Sequence, residues 1–231
     1  MNYQTDRVVQ KLIGQKSKTL LLLGEAGAGK SEIAVNLALQ LAAAGQAVRF
    51  FDMDQTKPLF RSRTVAAILR QASVSIDDGE QFLDAPIIPD AVIERIHDLQ
   101  FFTIMDIGGN ATGARCIGQF AKDWPETVAA YLVMNPYRPF SDCRRNIVQT
   151  VEEIIAATHL EKFAVFSNPN FGERTGLQDV LDGQRRLATL LSDTPYAVEF
   201  LAAPGWLAPQ VQLEFPTLPV LGVVRHITAP W

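Results

Sequence analysis

"LLLGEAGAGKSE", residues 21–32, sets three leucines against a glycine-rich turn, then a lysine and a serine. With Thr19 and Leu20 the leucines form an apolar run stopped by Gly24, the pattern of a strand buried on both faces. After the turn, "SEIAVNLALQLAAAG" places Ile33, Leu37 and Leu41 four apart and ends on Gly45, which predicts a helix and its stop. Gly24 to Ser31 satisfies G-x-x-x-x-G-K-[ST] at every defined position, in the strand–turn–helix context that pattern requires. Glycines there let successive backbone N–H groups converge on an anion, and the helix N-terminus adds its dipole. In such a loop Lys30 reaches the outer phosphates of a nucleotide, and the Ser31 hydroxyl ligates Mg2+.

Outward from the loop the alternation repeats. "AVRFFDMD" reads as a second strand ending in Asp52 and Asp54, and "FFTIMDIGG" as another ending in Asp106, Gly108 and Gly109. "TVAAYLVMN", "KFAVFSN" and "YAVEFLAA" are later strands, while "DCRRNIVQTVEEIIAATH" and "TGLQDVLDGQRRLATLLSD" read as helices between them. This pattern predicts an α/β fold: a three-layer, doubly wound, mostly parallel sheet. The polar strand ends then share one edge, where such sheets bind ligands. Residues 55–90 fit least well and are expected to include a mobile loop. No linker divides the chain, so 1–231 is expected as one nucleotide-binding domain. Val8, Val9, Leu12 and Ile13 predict a helical extension over 1–17, and the proline-rich 205–231 a packed C-terminal extension.

Composition narrows the function classes. With 21 Lys and Arg against 25 Asp and Glu, the 231-residue chain has a net charge of −4, which argues against a dedicated nucleic-acid binder. Arg138, Arg144 and Arg145, and Arg185 with Arg186, are read chiefly as solvated helix faces, with phosphate-backbone contacts to nucleic acid as the alternative. Cys116 and Cys143 form no ligand pattern and are expected as reduced, buried small residues. His97, His159 and His226 show no ligand spacing. The absence of a signal-peptide core and of a membrane-length apolar run makes the cytoplasm the expected location.

A phosphate loop needs a carboxylate on its cation and a group to orient the nucleophile. Asp106 is the expected magnesium-side acid, and Gly108 with Gly109 lets backbone N–H groups approach a terminal phosphate. Asp54, further out on its strand than Asp52, is expected to position water or support the metal.

These motifs, in this order, resemble the MinD/ParA group of P-loop ATPases in the SIMIBI division, with the nitrogenase iron protein. The resemblance rests on the phosphate loop, "DMD", "DIGG" and a late strand ending at Asn168 in "VFSNPN", and spans most of 18–220. It implies the P-loop NTPase fold, ATP and Mg2+ as cofactors, and slow hydrolysis that switches the protein between partner-binding states. Lys30, Asp54 and Asp106 would be catalytic, and Ser31, Asp54 and Asp106 would serve the metal. The nucleotide would meet Gly24, Glu25, Ala26, Gly27, Ala28, Gly29, Lys30, Ser31, Glu32 and Gly108. Asn168 would read the adenine edge, with Pro204 beside the base. The group carries a signature lysine where this chain has Glu25; that lysine reaches across a nucleotide-sandwich dimer. Arg61, Arg63 and Arg115 are candidates to replace its charge. A homodimer and a protein partner are the implied assemblies.

"DIGG" also fits the GTPase pattern Asp-x-x-Gly. Neither Asn135-Pro136-Tyr137-Arg138 nor Asn168-Pro169-Asn170-Phe171 supplies the acid of Asn-Lys-x-Asp, so ATP is favoured over GTP. Two alternatives stay open: a kinase or ATP-dependent ligase like dethiobiotin synthetase, and an adaptor that binds nucleotide without turnover.

Overall fold

Thr19–Leu23 is buried at all five positions, and this strand, β1, lies in the middle of the sheet. The structure, a computed structural model, describes residues 7–53, 63–77, 94–108, 111–118, 124, 127–160 and 162–227. The other strands are β2 (Val48–Met53), β3 (Ser75–Asp77), β4 (Phe102–Ile107), β5 (Val128–Met134), β6 (Ala164–Ser167), β7 (Val198–Pro204) and β8 (Val220–Val223). They pair in the order β3-β2-β4-β1-β5-β6-β7-β8, and every pairing is parallel. The helices are α1 (Arg7–Gly14), α2 (Lys30–Ala43), α3 (Arg63–Gln71), α4 (Ala111–Gly118), α5 (Arg144–Thr158), α6 (Leu177–Leu191) and α7 (Ala208–Glu214).

Strand alternation divides the core. Leu20, Leu22, Val48, Phe50, Phe102 and Ile104 point to one face and pack with Val8 and Leu12 of α1, Ile33 and Leu37 of α2, and Val65 and Leu69 of α3. Leu21, Leu23, Phe51, Met105 and Leu132 point to the other, against Ile117 of α4, Val151 of α5 and Leu187 of α6. Fully buried side chains such as Phe50, Phe166 and Phe200 each contribute about 1.5–3 kcal/mol. The result is the expected three-layer α/β fold.

Two stretches carry more structure than the sequence reading gave them. Within 55–90, α3 and β3 form, and β3 extends the sheet beyond β2. The C-terminal stretch supplies α7 and β8, the eighth strand, and α1 packs against that strand. Short polar and proline-rich runs hid both strands, since β3 has three residues and β8 four. No described helix is long and apolar enough to cross a membrane.

The topology also fixes where a ligand can sit. From β1 the chain crosses through α2 toward β2, on one side. From β4 it crosses through α4 over β1 to β5, on the other. The carboxyl end of β1 is thus the point where the winding reverses, and the crevice opens there.

Candidate functional site

At that crevice the chain leaves β1 at Gly24. Its φ is +128°, and a Cβ there would overlap the carbonyl oxygen of Val133 on β5. The loop closes on Gly29, φ +97°, where a Cβ would overlap Asn168 Nδ2. One end of the loop therefore lies against the backbone of β5 and the other against the Asn168 side chain, and at both the positive φ favours glycine. Between them the Glu25 carbonyl is a pivot: it accepts the Ala28 N–H at 3.2 Å and the Lys30 ammonium at 3.0 Å. Lys30 opens α2 and is buried, with Ser31 beside it in the first turn. This ring of glycines at a helix N-terminus is the geometry that cradles an anion.

Asp106 is the Cα partner of Leu22 on β1 and of Asp52 on β2. By alternation it shares the face of Phe102 and Ile104, the face that α2 covers. Asp106 is fully buried and Asp52 half-buried. A buried acid on the side of the sheet covered by α2, whose first turn carries Ser31, suits a cation held between one hydroxyl, one carboxylate and phosphate oxygens. Such a site needs no cluster of protein ligands, and among the described residues no group of three His, Cys, Asp or Glu exists. Asp54, Arg61, Gly109 and the side chain of Arg63 lie outside the described residues. Gly108 is buried directly after β4, and Arg115 is exposed on α4.

Asn168, directly after β6, donates its Nδ2–H to the Ala28 carbonyl at 2.7 Å. Its amide thus grips the phosphate loop from below, which the sequence reading, assigning it to a base edge, did not contain. Asn135, which ends β5, donates to the Asn170 carbonyl at 2.8 Å and accepts the Tyr137 N–H at 3.1 Å. Phe171 stacks on Tyr137 with ring centroids 4.0 Å apart, and half of its surface is exposed. Two asparagines at adjacent strand ends therefore fix the loop after β6 against the phosphate loop. Pro204 is buried at the end of β7.

The Glu32 carboxylate, in the first turn of α2, is turned to the C-terminal stretch. It accepts the His226 N–H at 2.5 Å and the Ile227 N–H at 3.2 Å. The signal was available: Glu32, Asn36 and Gln40 form a polar stripe four apart on an otherwise apolar helix.

Burial raises the Glu25 carboxyl above the ordinary carboxylate pKa, and the Glu153 carboxylate on α5 adds to the rise. The Ala26 N–H and Lys30 pull the other way. Because the folded-state pKa is raised, the Glu25 carboxylate binds a proton more tightly in the folded state than in the unfolded one. That stability is present below the unfolded-state value and is lost as pH rises through the raised one. Glu25→Gln is therefore expected to flatten one component of the stability–pH curve just above the ordinary carboxylate range. Urea midpoints measured from pH 4 to 7.5 check this, and parallel curves for the two proteins would refute it.

Of the clustered arginines, Arg144 and Arg186 bridge the ends of α5 and α6, while Arg185 pairs along α6 and with Glu214 on α7. Arg144 bonds the Leu190 carbonyl and Asp193, Arg186 bonds the Asp142 carbonyl, and Arg185 pairs with Asp182. Cys143, expected to be buried, is exposed immediately before α5.

No family model matches the sequence, and no curated protein matches it. Solved structures do share its fold. The cell division protein FtsY of Thermotoga maritima superposes with a TM-score of 0.57 at 11% identity, over 85% of this chain and 68% of that one. The 54 kDa signal recognition particle protein of Aeropyrum pernix K1, in complex with GDP, gives 0.54 at 16% identity over 84% of this chain and 46% of that one. The signal recognition particle receptor FtsY of Elizabethkingia anophelis, also with GDP, gives 0.50 at 16% identity, covering 84% and 63%. The chain spans less than two thirds of the latter two. The architecture is thus that of the P-loop NTPases.

Proposed function

We propose that this chain binds ATP with Mg2+ and hydrolyses it slowly, as a nucleotide-controlled switch of the MinD/ParA type. The observation that supports it is the assembled loop: Gly24 and Gly29 wedged against β5 and Asn168, Lys30 buried at its end, and Asp106 on the face shared with α2. Lys30 would take the outer phosphates, and Ser31 and Asp106 would hold the cation, which screens phosphate charge during transfer. Asp54 is the proposed water-orienting acid. The switch would act on a protein partner or a second copy of this chain, with Glu25 altering the usual dimer contact.

The base side favours adenine. Guanine is commonly read by a carboxylate that accepts two N–H groups, and the acids after β6 have other partners. Glu173 pairs with Arg225, and Asp179 accepts the Gly176 N–H at 2.8 Å. GTP is the second reading, because two of the structurally similar proteins are complexes with GDP.

Titrating fluorescent ATP and GTP analogues with Mg2+ and measuring phosphate release separates these readings. ATP is expected to bind at least about tenfold more tightly, the worth of one well-placed hydrogen bond. Tighter binding of GTP would overturn the adenine assignment. In the same assay, Asp54→Ala is expected to leave affinity within about threefold and to cut turnover by about a hundredfold or more. Normal turnover in that variant would remove Asp54 from the mechanism.

A further inference from the structure

The polar stripe on α2 has a single target. Gln40 donates to the Gly222 carbonyl at 2.8 Å, and Asn36 brackets Val224, donating to its carbonyl and accepting its N–H, each at 2.8 Å. Glu32 then takes the N–H groups of His226 and Ile227. Five hydrogen bonds thus run from Gly222 in β8 to the turn of helix that carries Lys30 and Ser31. Between them, Arg225 reaches the opposite way and pairs at 2.5 Å with Glu173, in the short turn Gly172–Arg174 that follows Asn168 and Phe171.

We propose that residues 224–227 are a strap that couples the head of the phosphate-loop helix to the loop after β6, with Glu32 as the positioning residue that fixes its end. The two segments joined flank the crevice from the phosphate side and from the base side. Asn168 already ties them directly through Ala28. The strap adds a second tie outside it, so a displacement of α2 moves the 171–175 loop with it. Its consequence for nucleotide retention rests on the nucleotide reading above, but the coupling itself does not.

Hydrogen exchange on the full chain without nucleotide tests the coupling in both directions. Glu32→Ala removes two charge-assisted bonds and is expected to speed exchange at 224–227 by about tenfold or more. It should also speed exchange at 171–175, which Glu32 does not touch, by about two- to fivefold. Arg225→Ala breaks the exposed ion pair with Glu173 and a long bond from its Nε to the Ile227 carbonyl, and is expected to speed exchange at 30–34 by about twofold. Amides of β1 and β4 should exchange at the wild-type rate in both variants, which excludes global destabilisation as the cause. If each effect stays within 222–227, the strap is only a packed tail and the proposal is wrong. A second arm adds ATP and Mg2+: protection at 24–31 should extend to 171–175 in wild type and shrink there in Glu32→Ala. If wild type gains no protection at 24–31 from either ATP or GTP, the nucleotide reading fails while the first arm still judges the strap.

Discussion

Lys30→Ala is expected to weaken ATP binding by about 10- to 100-fold and to abolish turnover, the largest functional loss of any single change in the chain. The magnitude follows from one hydrogen bond to a charged group, about 1.5–3 kcal/mol, made where little water competes. Lys30 is only 6% exposed, and its ammonium rests on the Glu25 carbonyl at the centre of the loop. A phosphate arriving there replaces a neutral acceptor with an anion, so the gain is larger than for a surface lysine. The fold should survive, because alanine leaves α2 intact and lifts the cost of a buried ammonium. Calorimetric titration with circular dichroism as the folding control measures both, and unchanged affinity in a folded variant would overturn the phosphate role of Lys30.

Gly24→Ala is expected to be the most destabilising small substitution in the loop, by about 2–4 kcal/mol. Two costs combine. A φ of +128° is one that side-chain-bearing residues rarely adopt, at about 1–3 kcal/mol. The added Cβ also meets the Val133 carbonyl, which belongs to the backbone of a central strand and cannot rotate aside. In a domain of this size about 3 kcal/mol lowers Tm by roughly 6–12 °C. Gly14→Ala is the control: nothing lies near its Cβ position, and a change within about 0.5 kcal/mol is expected. If thermal melts place the two variants together, the contact between Gly24 and β5 does not constrain the loop.

These two residues show how unevenly the site could be read beforehand. The place of Lys30 was legible because it depends on local order: strand, turn, helix start. Gly24 was legible as a glycine of the motif, but the reason it must be glycine was not. In the sequence Gly24 stands out for anion access, whereas the structure adds Val133, more than a hundred residues away. Asn168 shows the same gap, since its contact with Ala28 joins two strand ends that meet only once β6 is laid beyond β5.

By itself, the order of apolar runs and glycine turns determined the α/β architecture, the place of the phosphate loop and the acid that ends β4. Those features depend on neighbours within a few residues, where side-chain periodicity and turn chemistry act directly. Tertiary structure alone decided that β3 and β8 complete the sheet, that Asn168 supports the loop, and that Glu32 receives the backbone N–H groups of His226 and Ile227 just beyond β8. Each of these is a hydrogen-bond partnership set by which strands lie side by side, and strand order is fixed by long-range packing that no local pattern encodes.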